Sequence, residues 1–257
     1  MNGVSLSLAG KAALITGGSR GIGAAAVRMF VQAGAQVVFT YQQARAAAEQ
    51  LAEECGEANC LALQADLRGA ESAPAVVAAA VKRFGRLDIL VANHGIWPPQ
   101  DQPVDQMSDE QWRGTVAVNL DSVFGLVKHA VAQMKKQQLG GHVVIIGSTA
   151  GQRGEAFHCD YAATKGAIIS MVKGLSTELA PHRIHVNCVA PGWVDTDMSA
   201  SALRDPAISG RVLRTIPLGR AGTAEEIAGP ILFLCTEHAG FITGEIFNVN
   251  GGAVLVG

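Results

Sequence analysis

The sequence predicts an α/β fold: one doubly wound domain, residues 1–257, with a seven-stranded parallel sheet and helices on both faces. Three observations lead there. Short apolar runs alternate along the chain with longer alanine-rich stretches. Apolar residues make up 49% of the chain and aromatics only 5%, which suits close helix-on-sheet packing. No proline- or serine-rich linker, repeat or low-complexity segment divides the chain.

The elements follow in order. AALIT at 12–16 is a continuous apolar run, as a strand covered on both faces requires, and a helix candidate follows at 21–32. QVVFTY at 36–41 and CLALQ at 60–64 are the next two strands, each followed by a helix candidate, 44–55 and 73–84. DILVAN at 88–93 leads into the loop 94–108 and a long helix over 108–138. HVVIIG at 142–147 precedes a helix over 161–180, and HVNCVA at 185–190 precedes the long loop 192–222. A helix at 224–235 and a strand EIFNVN at 245–250 close the pattern. Successive parallel strands need such crossovers, and the long loops are the places for function.

Composition excludes several roles. A net charge of −2 gives no electrostatic reason to expect nucleic acid or an anionic membrane as partner. The five cysteines, Cys55, Cys60, Cys159, Cys188 and Cys235, form no CxxC pair and read as reduced thiols, with no zinc site or other metal expected. No segment approaches about 18 uninterrupted apolar residues and the N-terminus lacks a signal-peptide pattern, so a soluble cytoplasmic protein is expected.

Two constellations carry chemistry. After the first strand, TGGSRGIG at 16–23 opens directly into a helix. Glycines there permit unusual backbone angles, allow close approach of a pyrophosphate, and set it on a helix N-terminus where amides and dipole favour an anion. The fold expected is therefore of Rossmann type. The second constellation is Tyr161 and Lys165, four residues apart and so on one helical face. A cation there favours the phenolate of a neighbouring phenol, whose ordinary pKa of about 10 suits it poorly to act as a base.

The spacing Gly17-x-x-x-Gly21-x-Gly23, with Asp66, the ANHG of 92–95, Asn119, Ser148 thirteen residues before Tyr161, Lys165 and PG at 191–192, resembles the short-chain dehydrogenase/reductase family over nearly the whole chain. The resemblance implies a dinucleotide held by Gly17, Ser19, Arg20, Gly21, Ile22 and Gly23 in the turn. Asp66 and Leu67 would sit at the adenine, and Asn93 and Gly95 along the adenosine ribose. Pro191, Gly192, Val194 and Thr196 would flank the nicotinamide, with Tyr161 and Lys165 beside it. The family usually has alanine where this chain has His94.

The same resemblance implies a catalytic set of Asn119, Ser148, Tyr161 and Lys165. Tyr161 would protonate the alkoxide formed by hydride transfer to a carbonyl, Ser148 would bind the carbonyl oxygen, and Asn119 would hold a water in contact with Lys165. Tyr41 at the end of the second strand stands where NAD-preferring relatives carry an acid, so NADP(H) is expected, met by Arg20 and Arg45, with NAD(H) as the alternative. His94, Trp97, Ser148, Cys159 and Trp193, under a lid over about 193–222, are the candidate substrate-binding residues. PGWVDTDM, PLGRAGTAEEIAGPILFL and ITGEIFNVNGG are most similar to 3-oxoacyl-acyl-carrier-protein reductases. The expected substrate is thus a 3-oxoacyl thioester, the alternatives being another ketone or alcohol, such as a cyclic diketone or sugar-like polyol, and a non-catalytic dinucleotide-binding regulator. The resemblance also implies a homotetramer, and an acyl carrier protein as a candidate partner, for which Lys135, Lys136, His182 and Arg183 are the basic residues at hand.

Overall fold

The computed structural model describes residue 3 and residues 5–255. Seven strands, β1 (Ala12–Ile15), β2 (Gln36–Tyr41), β3 (Cys60–Gln64), β4 (Ile89–Ala92), β5 (Gly141–Ile146), β6 (Ile184–Pro191) and β7 (Ile246–Val249), form one sheet in the order β3-β2-β1-β4-β5-β6-β7. Every pair is parallel. The helices are α1 (Gly21–Gln32), α2 (Arg45–Cys55), α3 (Ala73–Phe84), α4 (Asp109–Val116), α5 (Ser122–Gln137), α6 (Thr149–Arg153), α7 (Cys159–Leu179), α8 (Ala200–Arg204), α9 (Pro206–Arg214) and α10 (Ala224–Phe233).

Strand residues alternate between two apolar cores. Ala13, Ile15, Val37, Phe39 and Val91 pack under α1, α2 and α10. Leu14, Val38, Leu90, Val143 and Ile145 pack under α3, α5 and α7. Both faces of every central strand are therefore dry, which is why these strands read as continuous apolar runs. Phe30 and Phe39 are fully buried, and each such side chain contributes about 1.5–3 kcal/mol by leaving water.

The order reverses at β1, which pairs β2 on one side and β4 on the other. Chain leaving β1 heads one way and chain leaving β4 the other, so a crevice opens beyond their carboxyl ends. No helix among the described residues is long and apolar enough to cross a membrane.

Three sequence expectations need correction. The helix over 108–138 is interrupted by a π-helical turn, Ala117–Asp121, between α4 and α5. Side-chain bonds hold it open: the Ser122 hydroxyl donates to the Val118 carbonyl (2.6 Å), and Asn119 pairs with the Ile96 backbone. The helix over 161–180 begins two residues earlier, at Cys159, so that Tyr161 lies in its first turn. Finally, Lys135 and Lys136 close α5, and His182 and Arg183 lie just before β6, at the amino ends of β5 and β6. The crevice is at the carboxyl ends, a strand length of roughly 18 Å away, so this basic cluster is not beside it.

Candidate active site

A cleft of about 410 Å³ runs along the carboxyl ends of β1, β2, β4, β5 and β6. At one end is the glycine turn. Gly17 and Gly21 have positive φ, 65° and 52°, which side-chain-bearing residues rarely adopt. A Cβ on Gly23 would meet the Gly17 carbonyl oxygen at 2.1 Å and Asn93 Nδ2 at 2.7 Å. The turn is thus folded tightly on itself, leaving its backbone and the N-terminus of α1 open to the cleft. The cradle fits a dinucleotide pyrophosphate.

Segment 93–96 holds the centre together. Asn93 Nδ2 donates to the carbonyls of Thr16 (2.9 Å) and Gly17 (3.1 Å). Ile96 N donates to Asn119 Oδ1 (2.8 Å), and Asn119 Nδ2 returns a bond to Ile96 O (2.9 Å). Between them, His94 is turned inward, with Nδ1 2.7 Å from Thr16 Oγ1 and Nε2 2.6 Å from Ser122 Oγ. Because Ser122 gives its proton to Val118 O, it accepts from Nε2–H, and Nδ1 accepts from Thr16. Burial, then the nearby Lys165 charge, depresses the His94 pKa to about 3, so the ring is neutral. His94 lines the cleft, but it is not a solvated loop histidine, because both its nitrogens are committed to neighbouring elements.

Ser148 follows β5 and caps α6, its oxygen accepting from Ala150 N (3.1 Å). Burial pushes Tyr161 up to about 12, while a hydrogen bond with Ser148 pulls it down and the charge of Glu155 pushes it up. Lys165 is buried and is lowered to about 8 by that burial. Its ammonium donates to Ile146 O (2.8 Å) and lies 5.6 Å from the Tyr161 ring centroid. The expected lowering of Tyr161 by Lys165 is not the balance in this arrangement: the ammonium is turned to a carbonyl, and desolvation of the phenolate dominates.

Of the expected catalytic residues, Ser148, Tyr161 and Lys165 line the cleft. Asn119 lies behind it, fully buried; a Cβ on Gly95 would stand 3.2 Å from Asn119 Oδ1 and 3.7 Å from Lys165 Nζ. Ser19, Arg20, Ile22, Tyr41, Gly95, Pro191, Gly192, Val194 and Thr196 line it as expected, and so do Trp97 and Trp193, edge to face at 6.1 Å. Three expected residues lie off the lining. Asp66 is engaged by Arg68 and Gln42, Leu67 is buried in the core, and Cys159 Sγ faces Met107 Sδ at 4.0 Å. Arg45 turns to Glu49 (2.7 Å) and is also off the lining.

Sequence reasoning missed Arg153 and Glu155 on the cleft wall, which Gln42 and Gln43 also line. It also missed His158, which is buried and stacked on Trp97 at 4.7 Å. The thirteen-residue interval from Ser148 to Tyr161 was the available signal, since whatever fills it must border both. The segment 193–222, expected as a lid, comprises α8 and α9 and is stitched at its base: Gly222 N bonds to Trp193 O (2.9 Å) and Asp195 N to Gly222 O (2.9 Å). Ser199 Oγ bonds to Val194 O beneath it.

Residues 17–254 match the family model described as enoyl-(acyl carrier protein) reductase. The chain is 39% identical over 251 residues to the 3-oxoacyl-[acyl-carrier-protein] reductase FabG of Salmonella typhimurium, covering 98% of this chain and 100% of that protein. Identity to the Escherichia coli enzyme of the same name is also 39%, over 252 residues, with the same coverage. Among solved structures, a short-chain dehydrogenase/reductase of Brucella melitensis titled glucose/ribitol dehydrogenase superposes with a TM-score of 0.90 at 36% identity, covering 98% of this chain and all of that one. A 3-ketoacyl-(acyl-carrier-protein) reductase of the same organism, complexed with NADH, gives 0.88 at 32% identity, covering 97% and 100%.

The tight turn yields one expected outcome. Gly23→Ala forces its Cβ onto the Gly17 carbonyl and should lower stability by about 1–3 kcal/mol, as overpacking does, while weakening dinucleotide binding. Thermal denaturation together with cofactor titration checks it; unchanged values in both would show that the turn opens freely.

Proposed function

The chain belongs to the short-chain dehydrogenase/reductase family, and on that premise we propose that it is an NADPH-preferring ketone reductase whose substrate is a 3-oxoacyl thioester. The observation that carries the reading is the convergence of Ser148, Tyr161 and Lys165 on one cleft, with the glycine turn at its other end. The full-length likeness to 3-oxoacyl-[acyl-carrier-protein] reductases supports the substrate class.

When bound, a reduced nicotinamide supplies a hydride to the carbonyl carbon. The Gly17–Gly23 turn would hold the pyrophosphate, and Lys165 the nicotinamide ribose. The Ser148 hydroxyl donates to the carbonyl oxygen as its negative charge grows. Tyr161, protonated at neutral pH because burial holds its pKa near 12, gives its proton to that oxygen. Lys165, a cation below about pH 8, stabilises the phenolate left behind. A water beside Asn119 and Lys165 returns the proton, Asn119 acting through the π-turn it clamps to Ile96.

NADPH preference rests on the end of β2. Tyr41, not a carboxylate, occupies that end, and Arg20 stands at the cleft with its side chain 70% exposed. Its partner Asp197, at 3.5 Å and 68% exposed, is held only weakly, so a phosphate competes well for the guanidinium. An acyl carrier protein as substrate carrier, a cytoplasmic location and a single domain complete the reading. A homotetramer built on the α4, α5 and α7 face is supported by Trp112 and Phe124, large apolar side chains 43% and 55% exposed there.

Three measurements test it. Tyr161→Phe should cut kcat by about 10²–10⁴-fold with cofactor affinity nearly unchanged; retention of more than a few per cent of kcat would remove Tyr161 from its role. For the wild type, kcat/KM should be full at neutral pH and fall as pH rises through about 8, where Lys165 loses the charge it needs; a flat profile to pH 10 would show that the charge is dispensable. Tyr41→Asp should shift cofactor preference toward NADH, by adding a ribose acceptor and a charge that repels a 2′-phosphate. A wild-type enzyme already favouring NADH in kcat/KM would overturn the Arg20 assignment.

A further inference from the structure

Among the cleft residues that proton transfer does not use is a carboxylic acid, Glu155. Glu155 reaches the wall from the segment between α6 and α7, beside Trp97 and Tyr161. It is half-buried, and among the described residues no cation lies within ion-pair distance of it. Burial raises its pKa, while His158, Arg153 and the indole N–H of Trp97 act to lower it, and Asp101 to raise it.

The wall that carries Glu155 is built to hold shape. His158 is buried, stacks on Trp97 at an interplanar angle of 14°, and keeps Nε2 2.9 Å from Pro98 O. Phe157 adopts a φ of 66°, which a bulky residue takes only when its surroundings impose it, and its carbonyl accepts from Gln102 N at 3.0 Å. A carboxyl fixed in a cleft and lacking a paired cation keeps acceptor capacity for whatever enters. An alkyl group laid against it would strip its water and offer nothing in return; a carboxylate would be repelled.

We propose that Glu155 is a specificity-determining residue that accepts a hydrogen bond from a neutral N–H or O–H of the substrate, selecting donor-bearing ketones over plain alkyl ketones. It rests on the reading of this cleft as a carbonyl-reducing site. Two sources offer that donor: the amide of a thioester arm, or a hydroxyl near the ketone.

Matched pairs separate them in steady-state assays of the full chain with NADPH and with NADH. One pair is the 3-oxobutanoyl thioester of N-acetylcysteamine and an S-alkyl thioester of equal length without the amide. The other is hydroxyacetone and 2-butanone. In at least one pair the wild type should favour the donor-bearing member by about tenfold or more in kcat/KM. Glu155→Leu should bring that pair to parity with the cofactor KM unchanged, and Glu155→Gln, which keeps an acceptor oxygen, should retain much of the preference even if the Leu variant folds poorly. Selectivity in the hydroxyacetone pair without thioester turnover would refute the thioester substrate and leave the role of Glu155 standing. Thioester turnover with no preference in either pair, or a preference that survives Glu155→Leu, would overturn the role and leave the thioester reading standing. No turnover of any of the four ketones overturns both.

Discussion

The site depends on buried polar groups of segment 93–96 finding partners on two elements at once. Asn93 and His94 bond to the chain leaving β1, while His94 bonds to Ser122 at the start of α5 and Ile96 to Asn119 in the π-turn before it. An unpaired donor or acceptor at such depth costs about 1–3 kcal/mol, so the three pieces are held in one arrangement. The glycine turn, the π-turn and the ammonium of Lys165 near Gly95 are thereby placed relative to one another by hydrogen bonds, where apolar packing alone would leave slack.

Electrostatics follows from the same burial. A neutral imidazole is the form of His94 compatible with a nearby cation, and the tautomer that serves both Thr16 and Ser122 needs no added proton. Desolvation moves Tyr161 and Lys165 in opposite directions, one toward a protonated phenol and the other toward an ammonium that loses its proton more readily. Their ordinary pKa values lie close together, and the interior spreads them apart: the phenol stays protonated at neutral pH but becomes a weaker acid. The Tyr161–Lys165 spacing predicts a phenol pKa lowered by the ammonium; in the structure burial raises it instead.

The glycine turn and the Tyr161–Lys165 pair were legible in the sequence because their function lies in the spacing itself: a positive φ demands glycine, and i to i+4 is a helical neighbour relation. The doubly wound parallel sheet was legible because alternating apolar runs and helices leave few right-handed topologies. The π-turn was not, since it is produced by contacts of Asn119 and Ser122 with residues about twenty-five positions earlier and within its own turn, and apolar periodicity runs through it unbroken. The local pairing of Asp66 was hidden for a related reason. A carboxylate beside Arg68 forms a local bidentate pair, and nothing in the spacing tells whether a side chain turns along its own loop or into a crevice. Glu155 escaped notice because it belongs to an irregular segment, where no period reports which way a residue faces.

The stitched base of the lid has a consequence for how this chain can change. Backbone bonds among Trp193, Asp195 and Gly222 fix the ends of the intervening segment, and the isolated bridge between Val194 and Gly222 lies in the same neck. Once the ends of a loop are fixed, doubling its length costs only about 0.6 kcal/mol more in closure entropy. Thr196 lines the cleft, Asp197 pairs with Arg20 and Leu218 N bonds to Gly251 O just beyond β7, whereas residues 200–215 are the most exchangeable part of that segment. Substrate range can drift there while the hydrogen-bonded centre around His94 stays under a separate and much stricter constraint.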